Sequence, residues 1–180
     1  MELISPRHYF DELQTFRQSW TKAFVWGPSL VLLGMAGFNL YDLLWLVKPL
    51  GETTAADQGQ LVGSVIMILI GFGLPVLFSS ISLHIQVNDH EVYIRFKPFR
   101  TRHIPLEQIV SCAAEIYRPI MDYGGWGIKY SLRFRRWAYN VSGNRGVVLD
   151  LADGKSLLLG SQRPEELASA IQSAKTARKG

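Results

Sequence analysis

A short segment in the middle of the chain combines basic and aromatic side chains that suit contact with anionic phosphates. Residues 96–103 read FKPFRTRH and contain Lys97, Phe99, Arg100 and Arg102. Lysine and arginine attract the phosphates of an anionic leaflet, and an exposed phenylalanine can enter the headgroup region. The segment therefore predicts a lipid-binding site at these four residues. The alternative is the ordinary excess of basic residues beside an apolar helix on its cytoplasmic side.

A second cluster lies later in the chain, where a glycine-rich loop precedes three arginines. The loop carries Tyr123 and Trp126, and the basic run contains Arg133, Arg135 and Arg136. Glycines let another molecule approach the backbone closely, and a tryptophan offers a flat anchor. These five residues predict a loop that binds a ligand or an acidic segment of a partner. The alternative is structural, with the tryptophan closing a core and the arginines on the solvated side of a strand.

Residues with catalytic or metal-binding chemistry are sparse. His8, His84, His90 and His103 do not have the spacing of metal ligands, and the single cysteine, Cys112, falls on a predicted buried strand face where a thiol is usually inert. One cysteine also excludes a disulfide within the chain. No nucleophile elbow is present in the sequence, and no pair of carboxylates falls on a predicted pocket. We therefore expect no cofactor, no bound metal and no enzymatic activity.

The elements that must position these residues begin with two long apolar runs, at residues 23–44 and 61–83. About 20 apolar residues suffice to cross a bilayer, and in hydrocarbon the backbone must satisfy its own hydrogen bonds. The sequence therefore predicts two transmembrane helices, over about residues 23–46 and 61–83. The short polar stretch between them allows only a tight helical hairpin.

The distribution of basic residues predicts the orientation of this hairpin. Arg7, Arg17 and Lys22 precede the first run, and the 95–102 segment follows the second, whereas the connecting loop has only Lys48. By the positive-inside bias, both termini are expected in the cytoplasm. Residues 85–180 hold 15 Lys/Arg and 9 Asp/Glu, and their net charge of +6 fits a domain held against an anionic leaflet. The chain has no helix-turn-helix, zinc-finger or RNA-binding signature, so no nucleic-acid partner is predicted.

The residues before the first run have an approximately helical spacing of apolar side chains. Phe10, Leu13, Phe16 and Trp20 recur near helical spacing, Ser5 can cap the helix, and Pro6 suits its first turn. We interpret residues 5–20 as an amphipathic helix, within a segment 1–22 that lies along the headgroups. Packing of this helix on the C-terminal domain is the alternative.

From Leu83 onward, the apolar period changes from helical to two. Alternating residues on both sides of residues 88–90 predict a hairpin with one buried face. Asp153-Gly154 is a strong signal for a second hairpin, and Pro164 suits the start of a terminal helix. Between them we expect a strand at 100–105, a turn at 106–109, and strands at 110–116 and 128–134 with a loop at 119–127. Residues 137–141 either extend the strand at 128–134 or form the next strand.

Three segments resemble small uncharacterised prokaryotic membrane proteins with a two-helix hairpin and a C-terminal bacterial pleckstrin-homology (PH)-like domain. They are residues 123–128 (YGGWGI), 139–146 (YNVSGNRG) and 160–167 (GSQRPEEL). The resemblance implies a membrane α-helical hairpin followed by a mainly-β domain over residues 84–180, a PH-like seven-stranded sandwich or partial barrel capped by a C-terminal helix. It also implies a multi-pass protein of the cytoplasmic (inner) membrane. The turn at residues 88–90 is acidic where headgroup-binding PH domains are basic.

Two functions from different classes remain open. The first is a membrane-anchored binding or scaffold module, an accessory or assembly subunit that holds a protein partner at the cytoplasmic face. The second is a protein that binds anionic lipid or a small ligand through the 97–102 segment and the Trp126 loop. A protein that copurifies in stoichiometric amount would favour the first, and a retained lipid the second.

Overall fold

The computed structural model describes residues 8–16, 19–45 and 54–178 of the 180-residue chain. The chain forms two compact units, which we call the helical hairpin (Arg17–Ser80) and the β domain (Met1–Phe16 with Ile81–Gly180). The β domain is thus built from two stretches of chain that flank the helical hairpin in sequence.

Two long helices make up the helical hairpin: α1 spans Ser19–Trp45 and α2 spans Ala55–Ser80. Each is long and apolar enough to cross a membrane, with a mean hydropathy of 1.5 for Lys22–Leu44 and 2.5 for Ala55–Ser80. Only 11% and 17% of their most apolar stretches are buried, whereas an all-round hydrophobic helix in a soluble protein lies in its core. The prediction of two membrane-length apolar helices is confirmed.

The two helices pack closely where small residues meet. Ser29 and Gly71 are buried, and a Cβ added to Gly71 would lie 2.9 Å from the side chain of Leu33. The side-chain amide of Gln60 also donates a hydrogen bond to the backbone oxygen of Asn39 at 3.0 Å. Glycine at position 71 therefore allows the close approach of α1 and α2.

The predicted ends of the second helix need correction at both termini. Residues 55–60, which were expected in the connecting loop, form the start of α2, and the helix ends at Ser80 rather than at residue 83. Ile81 and Leu83 are buried in the β domain. The apolar run continues past the helix because its last residues belong to a sheet core, which hydropathy alone does not distinguish from a membrane span.

The segment before α1 contains a strand, so the amphipathic helix predicted over residues 5–20 is wrong there. β1 spans Phe10–Thr15 and pairs antiparallel with β2, which spans Ser82–Val87. Residues 1–7 and 17–18, at the two ends of the predicted helix, lie outside the described residues. Helical structure begins at Ser19, in α1.

Buried polar side chains attach β1 to the rest of the β domain. Glu12 accepts hydrogen bonds from the Ser161 hydroxyl at 2.5 Å and from the Gln162 amide at 2.8 Å. The side chain of Gln14 donates to the backbone oxygen of Gly160 at 2.8 Å. Buried polar groups are stable only when they are paired in this way. The strand therefore buries glutamate and glutamine while Leu13 is 64% exposed.

The first sheet, sheet A, has four antiparallel strands in the order β1-β2-β3-β4. β3 spans Glu91–Lys97 and β4 spans Arg100–Pro105. The hairpin predicted around residues 88–90 and the strand predicted at 100–105 are confirmed. Alternate residues of β2 and β3 are buried in register, with Ile85 beside Ile94 and Leu83 beside Phe96.

The second sheet, sheet B, has five strands in the order β5-β8-β9-β7-β6. A short 3₁₀ turn at Leu106–Gln108 leads from sheet A into β5, and β7 and β9 form a parallel pair. In the described part of the chain the β domain therefore has nine strands, which corrects the predicted seven. The elements of sheet B are β5 (Ile109–Ile116), a short helix α3 (Pro119–Tyr123), β6 (Gly127–Ser131), β7 (Arg136–Asn140), β8 (Arg145–Leu151) and β9 (Ser156–Gly160).

Two stretches of sheet B differ from the alternation predicted for them. A register shift after Ile109 leaves Val110 and Ile116 exposed on β5, where a buried face was expected. The strand predicted through residue 134 ends at Ser131 and is followed by a tight turn, in which Arg135 has φ +50°. The hairpin predicted at Asp153-Gly154 is confirmed, with Gly154 at φ +77°.

The C-terminal helix predicted to begin at Pro164 is confirmed as α4, Pro164–Ala177. It packs on β1 and β2 of sheet A and on β5 and β8 of sheet B. Leu167 and Ile171 are fully buried on its inner face. Burial of this apolar stripe between the two sheets joins them into one domain.

Candidate interaction sites

The chain leaves and re-enters the β domain at one end of sheet A. Thr15, the last residue of β1, is opposite Ser82, the first residue of β2, and Ser82 is opposite Lys97 at the end of β3. α1 begins at Ser19 and α2 ends at Ser80. Both connections to the helical hairpin therefore start within a few residues of the turn between β3 and β4.

That turn, residues 97–100, forms what we call the basic tip. The Phe99 amide donates to the backbone oxygen of Phe96 at 2.9 Å, which closes the turn. Phe99 is 61% exposed, and Lys97 and Arg100 are exposed beside it. An exposed phenylalanine between two basic side chains can contact both the apolar and the charged part of a lipid interface.

Strand alternation separates the four predicted lipid-binding residues onto two faces of sheet A. Lys97 lies on the outward face of β3. Arg100 is opposite Phe96 and Arg102 is opposite Ile94, and the side chains of Phe96 and Ile94 point into the core. Arg102 is half-buried, and its charge helps to lower the pKa of Asp153, which is lowered mainly by hydrogen bonds from Lys155. The structure thus keeps Lys97, Phe99 and Arg100 at one turn, with Lys97 and Arg100 on opposite faces of sheet A, and directs Arg102 toward the β8–β9 turn.

The basic residues near the tip differ from most other arginines in their pairing. Arg95, Lys97 and Arg100 form no ion pair with any described residue. Their positive charge is available to an external anion. Elsewhere in the described β domain, ion pairs join Arg133 to Asp122, Arg136 to Glu115, Arg145 to Glu165, Arg163 to Glu166 and Arg178 to Glu107.

The outward face of sheet A carries histidine–carboxylate pairs that sequence analysis missed. His84 lies 2.8 Å from Asp11, and His103 lies 2.8 Å from Glu91. The Gln86 side chain donates a hydrogen bond to Asp11 and, with His84, lowers the pKa of that carboxyl despite its partial burial. Strand alternation over residues 10–15 would have placed Asp11 on this outward face, but the helical interpretation of that segment concealed it.

Tyr123 and Arg136 are buried, which corrects their predicted placement on a partner-facing surface. Arg136 is 8% exposed and donates to the Tyr123 hydroxyl at 2.7 Å and to Glu115 at 2.6 Å. Its guanidinium also lies 4.8 Å from the ring centre of Phe134. Burial acts against the charge, but the bonds to Glu115 and Tyr123 prevail and raise the pKa of Arg136. These contacts connect β5, α3 and β7.

A second buried pair of polar groups holds the glycine-rich loop. Asn140 donates to the Tyr117 hydroxyl at 3.1 Å and accepts from the Gly127 amide at 2.9 Å. Burial raises the pKa of Tyr117 to about 12. The Trp126 indole donates to the backbone oxygen of Gly143 at 3.0 Å. Trp126 is half-buried, so its placement accords with the structural alternative.

Arg133 and Arg135 remain exposed, beside large apolar side chains. Met121 on α3 is 78% exposed and Leu132 in the β6–β7 turn is 85% exposed. The two segments are adjacent, because Arg133 lies 3.8 Å from Asp122. We call Ile120, Met121 and Leu132, the large exposed apolar side chains of these two adjacent segments, the apolar patch. Large apolar side chains exposed on adjacent segments suit an interaction surface better than scattered single residues do.

A separate groove of about 400 Å³ lies between β5 and the end of α4. Lys175 at its edge donates to the backbone oxygens of Ile109 and Val110, and Arg178 pairs with Glu107. The donors around the groove are therefore already engaged. Its lining residues are Leu106, Glu107, Ile109, Val110, Lys175 and Arg178.

Among the described residues, no group of three or more histidine, cysteine, aspartate or glutamate side chains could hold a metal ion. Burial raises the pKa of the Cys112 thiol, which disfavours the reactive thiolate. No protein-family model matches the chain, and no curated protein matches it either.

Proposed function

We propose that this chain is a membrane-anchored binding module that holds a protein partner through its β domain. Two observations support the proposal: the helical hairpin has two membrane-length apolar helices, and the β domain has an exposed apolar patch. The patch is the observation that carries it. Leaving three large apolar side chains in water costs free energy that burial in an interface recovers, at about 25 cal/mol per Å².

The partner is expected to present apolar side chains surrounded by acidic ones. Arg133 and Arg135 border the patch, and Arg118 at the start of α3 is exposed with no ion pair to a described residue. Charges at the rim of an interface mainly guide association and select partners, while the buried apolar centre supplies affinity. An accessory or assembly subunit of a larger membrane complex would have this kind of surface.

We further propose a PH-like fold for the β domain and a cytoplasmic location for both termini. The four-stranded antiparallel sheet, the second sheet and the terminal helix packed on both support the first proposal. The excess of basic residues around the two apolar runs supports the second. A reporter fused after Gly180 should be active only on the cytoplasmic side of a prokaryotic inner membrane.

The partner hypothesis is tested by site-specific photocrosslinking in membranes. A photoreactive amino acid at position 121 or 132 should form an adduct with one protein, and the same residue at Gln172, exposed on α4, should not. Leu132→Glu should remove both the adduct at position 121 and the copurifying protein from a mild-detergent preparation. The partner hypothesis fails if neither patch position forms an adduct, or if position 172 captures the same protein equally well.

A further inference from the structure

We propose that the basic tip is a lipid-contact site: Phe99 enters the headgroup region of an anionic bilayer, with Arg95, Lys97 and Arg100 contacting lipid phosphates. This inference rests on the proposed membrane anchoring but not on the protein partner. The contact is made at the surface of the bilayer, and no headgroup pocket is involved. It differs from the site expected from sequence by including Arg95 and excluding Arg102.

Chain connectivity is the first argument. Ser82, which follows α2 after one residue, is the strand partner of both Thr15 and Lys97. A residue spans at most about 3.6 Å of extended chain. If α1 and α2 cross a bilayer, the end of sheet A that carries the basic tip is therefore attached near the bilayer surface by two separate connections.

The composition of the tip is the second argument. Phe99 is largely exposed although its ring lies 6.3 Å from that of Phe96, so the fold leaves a large apolar side chain outside its core. Lys97 and Arg100 flank it, and Arg95 precedes Lys97 on the same outward face of β3. None of the three is paired with a described carboxylate. This combination matches an anionic lipid surface, which offers phosphates above an apolar layer.

The opposite end of sheet A provides an internal comparison. The β2–β3 turn at residues 88–90 contains Asp89 and the exposed His90, and Asn88 accepts hydrogen bonds from the His90 and Glu91 amides. It has an acidic residue where the basic tip has lysine and arginine. The seven residues of β3 separate the two turns, so the acidic turn serves as a comparison position for the basic tip.

The test uses the full chain with Cys112→Ser, reconstituted into phosphatidylcholine vesicles with or without phosphatidylglycerol. A polarity-sensitive fluorophore is attached to a single cysteine introduced as Phe99→Cys, His90→Cys or Leu69→Cys, and brominated lipids are used as quenchers. Position 69 is exposed in α2 and reports insertion of the helix. We expect quenching at position 69 in all vesicles, at position 99 with anionic lipid, and none at position 90.

Charge removal gives the expected magnitude. Each basic residue near an anionic surface contributes about 1 kcal/mol, or about fivefold in the docking equilibrium. Lys97→Gln with Arg100→Gln should therefore reduce docking of the labelled tip about 25-fold by the same conversion. Raising the salt concentration should also weaken docking of the tip, because salt shortens the distance over which the charges attract.

Each result separates the two proposals. Quenching at 69 but equal signals at 99 and 90 would overturn the lipid contact and leave the anchoring intact, whereas no quenching at 69 would overturn both. Equal quenching at 99 without phosphatidylglycerol would overturn the role of anionic phosphates. The unlabelled wild-type chain gives an independent measurement: amine acylation of Lys97 should be slower in anionic than in neutral vesicles, and acylation of the exposed Lys129 unchanged.

Discussion

Replacing Glu12 with alanine should release β1 from the β domain. Glu12 is buried, and its two carboxylate oxygens accept hydrogen bonds from the Ser161 hydroxyl at 2.5 Å and the Gln162 amide at 2.8 Å. The Ser161 side chain is also buried. Alanine at position 12 would leave both donors without this acceptor.

The size of the effect follows from these two bonds. A hydrogen bond to a charged group contributes about 1.5–3 kcal/mol, and a buried donor without an acceptor costs about 1–3 kcal/mol. Because the Gln162 amide is only part-buried, water can replace one bond. We therefore expect Glu12→Ala to destabilise the docked strand by about 3 kcal/mol, or roughly 100-fold in its opening equilibrium. Glu12→Gln keeps one acceptor oxygen and should cost about 1 kcal/mol.

Hydrogen exchange of the full chain in a membrane mimetic measures this opening directly. The peptide that covers β1 should exchange roughly 100-fold faster in Glu12→Ala, while peptides from β8 and β9 change little. Glu107→Ala is a matched control, because this exposed carboxylate pairs with Arg178 at the C-terminal end of α4 and should contribute less than about 0.5 kcal/mol. Exchange of the β1 peptide within about twofold of wild type would refute the argument, and would mean that backbone pairing with β2 alone holds the strand.

Three further changes test other contacts of the β domain. Gly146→Ala should lower the free energy of unfolding of the β domain by about 3 kcal/mol, because a Cβ at this position would lie 2.3 Å from the backbone oxygen of Leu159 on the paired strand. Thermal unfolding measures this loss. Arg136→Gln should cost about 2–3 kcal/mol in the same assay, since it leaves Glu115 and a buried tyrosine hydroxyl without their cation. Tyr117 should ionise well above the usual tyrosine range in an absorbance titration. Its pKa is raised by burial to about 12, so its contribution to stability is complete below about pH 10 and is lost as the pH rises through 12.

Matched variants distinguish the loss of these specific contacts from a general sensitivity of the β domain to substitution. Gly154→Ala places its Cβ in open space at φ +77° and should cost only about 1 kcal/mol; equal losses at positions 146 and 154 would contradict the steric argument. Arg136→Lys should restore little stability, because one ammonium cannot bond Glu115 and Tyr123 in the same fork geometry. Tyr117→Phe should remove the alkaline step, and its persistence would assign that step to another group.

The N-terminal segment explains why part of the fold was not predictable from sequence. The three-residue spacing of Phe10, Leu13 and Phe16 indicates a helix, yet the strand buries Glu12 and Gln14 and exposes Leu13. The bonds that make this burial favourable come from residues 160–162, about 150 positions away in sequence. An interpretation from periodicity assumes that the buried residues are apolar. That assumption fails when hydrogen-bond partners far away in sequence make the burial of polar residues favourable.

The candidate site residues likewise include some whose placement follows from local sequence and some whose placement depends on distant contacts. The exposed tip residues Lys97, Phe99 and Arg100 lie at one turn because a local hairpin joins them, and the lipid contact predicted for them stays a prediction. Tyr123 and Arg136 were grouped with surface arginines, because neighbouring residues do not reveal that Glu115 lies 2.6 Å from the Arg136 guanidinium. Burial of a charge depends on a partner that only the folded chain supplies.

Local patterns in the amino-acid order were enough to establish the two apolar helices, the β-hairpins at residues 88–90 and 153–154, and the terminal helix. Hydropathy, strand alternation and turn residues each act over only a few positions. The tertiary structure alone decided that Phe10–Thr15 is a strand, that β7 pairs in parallel with β9, and that Arg136 lies inside the domain. Each of these depends on contacts between segments far apart in sequence, whose free energies exist only when the chain has folded.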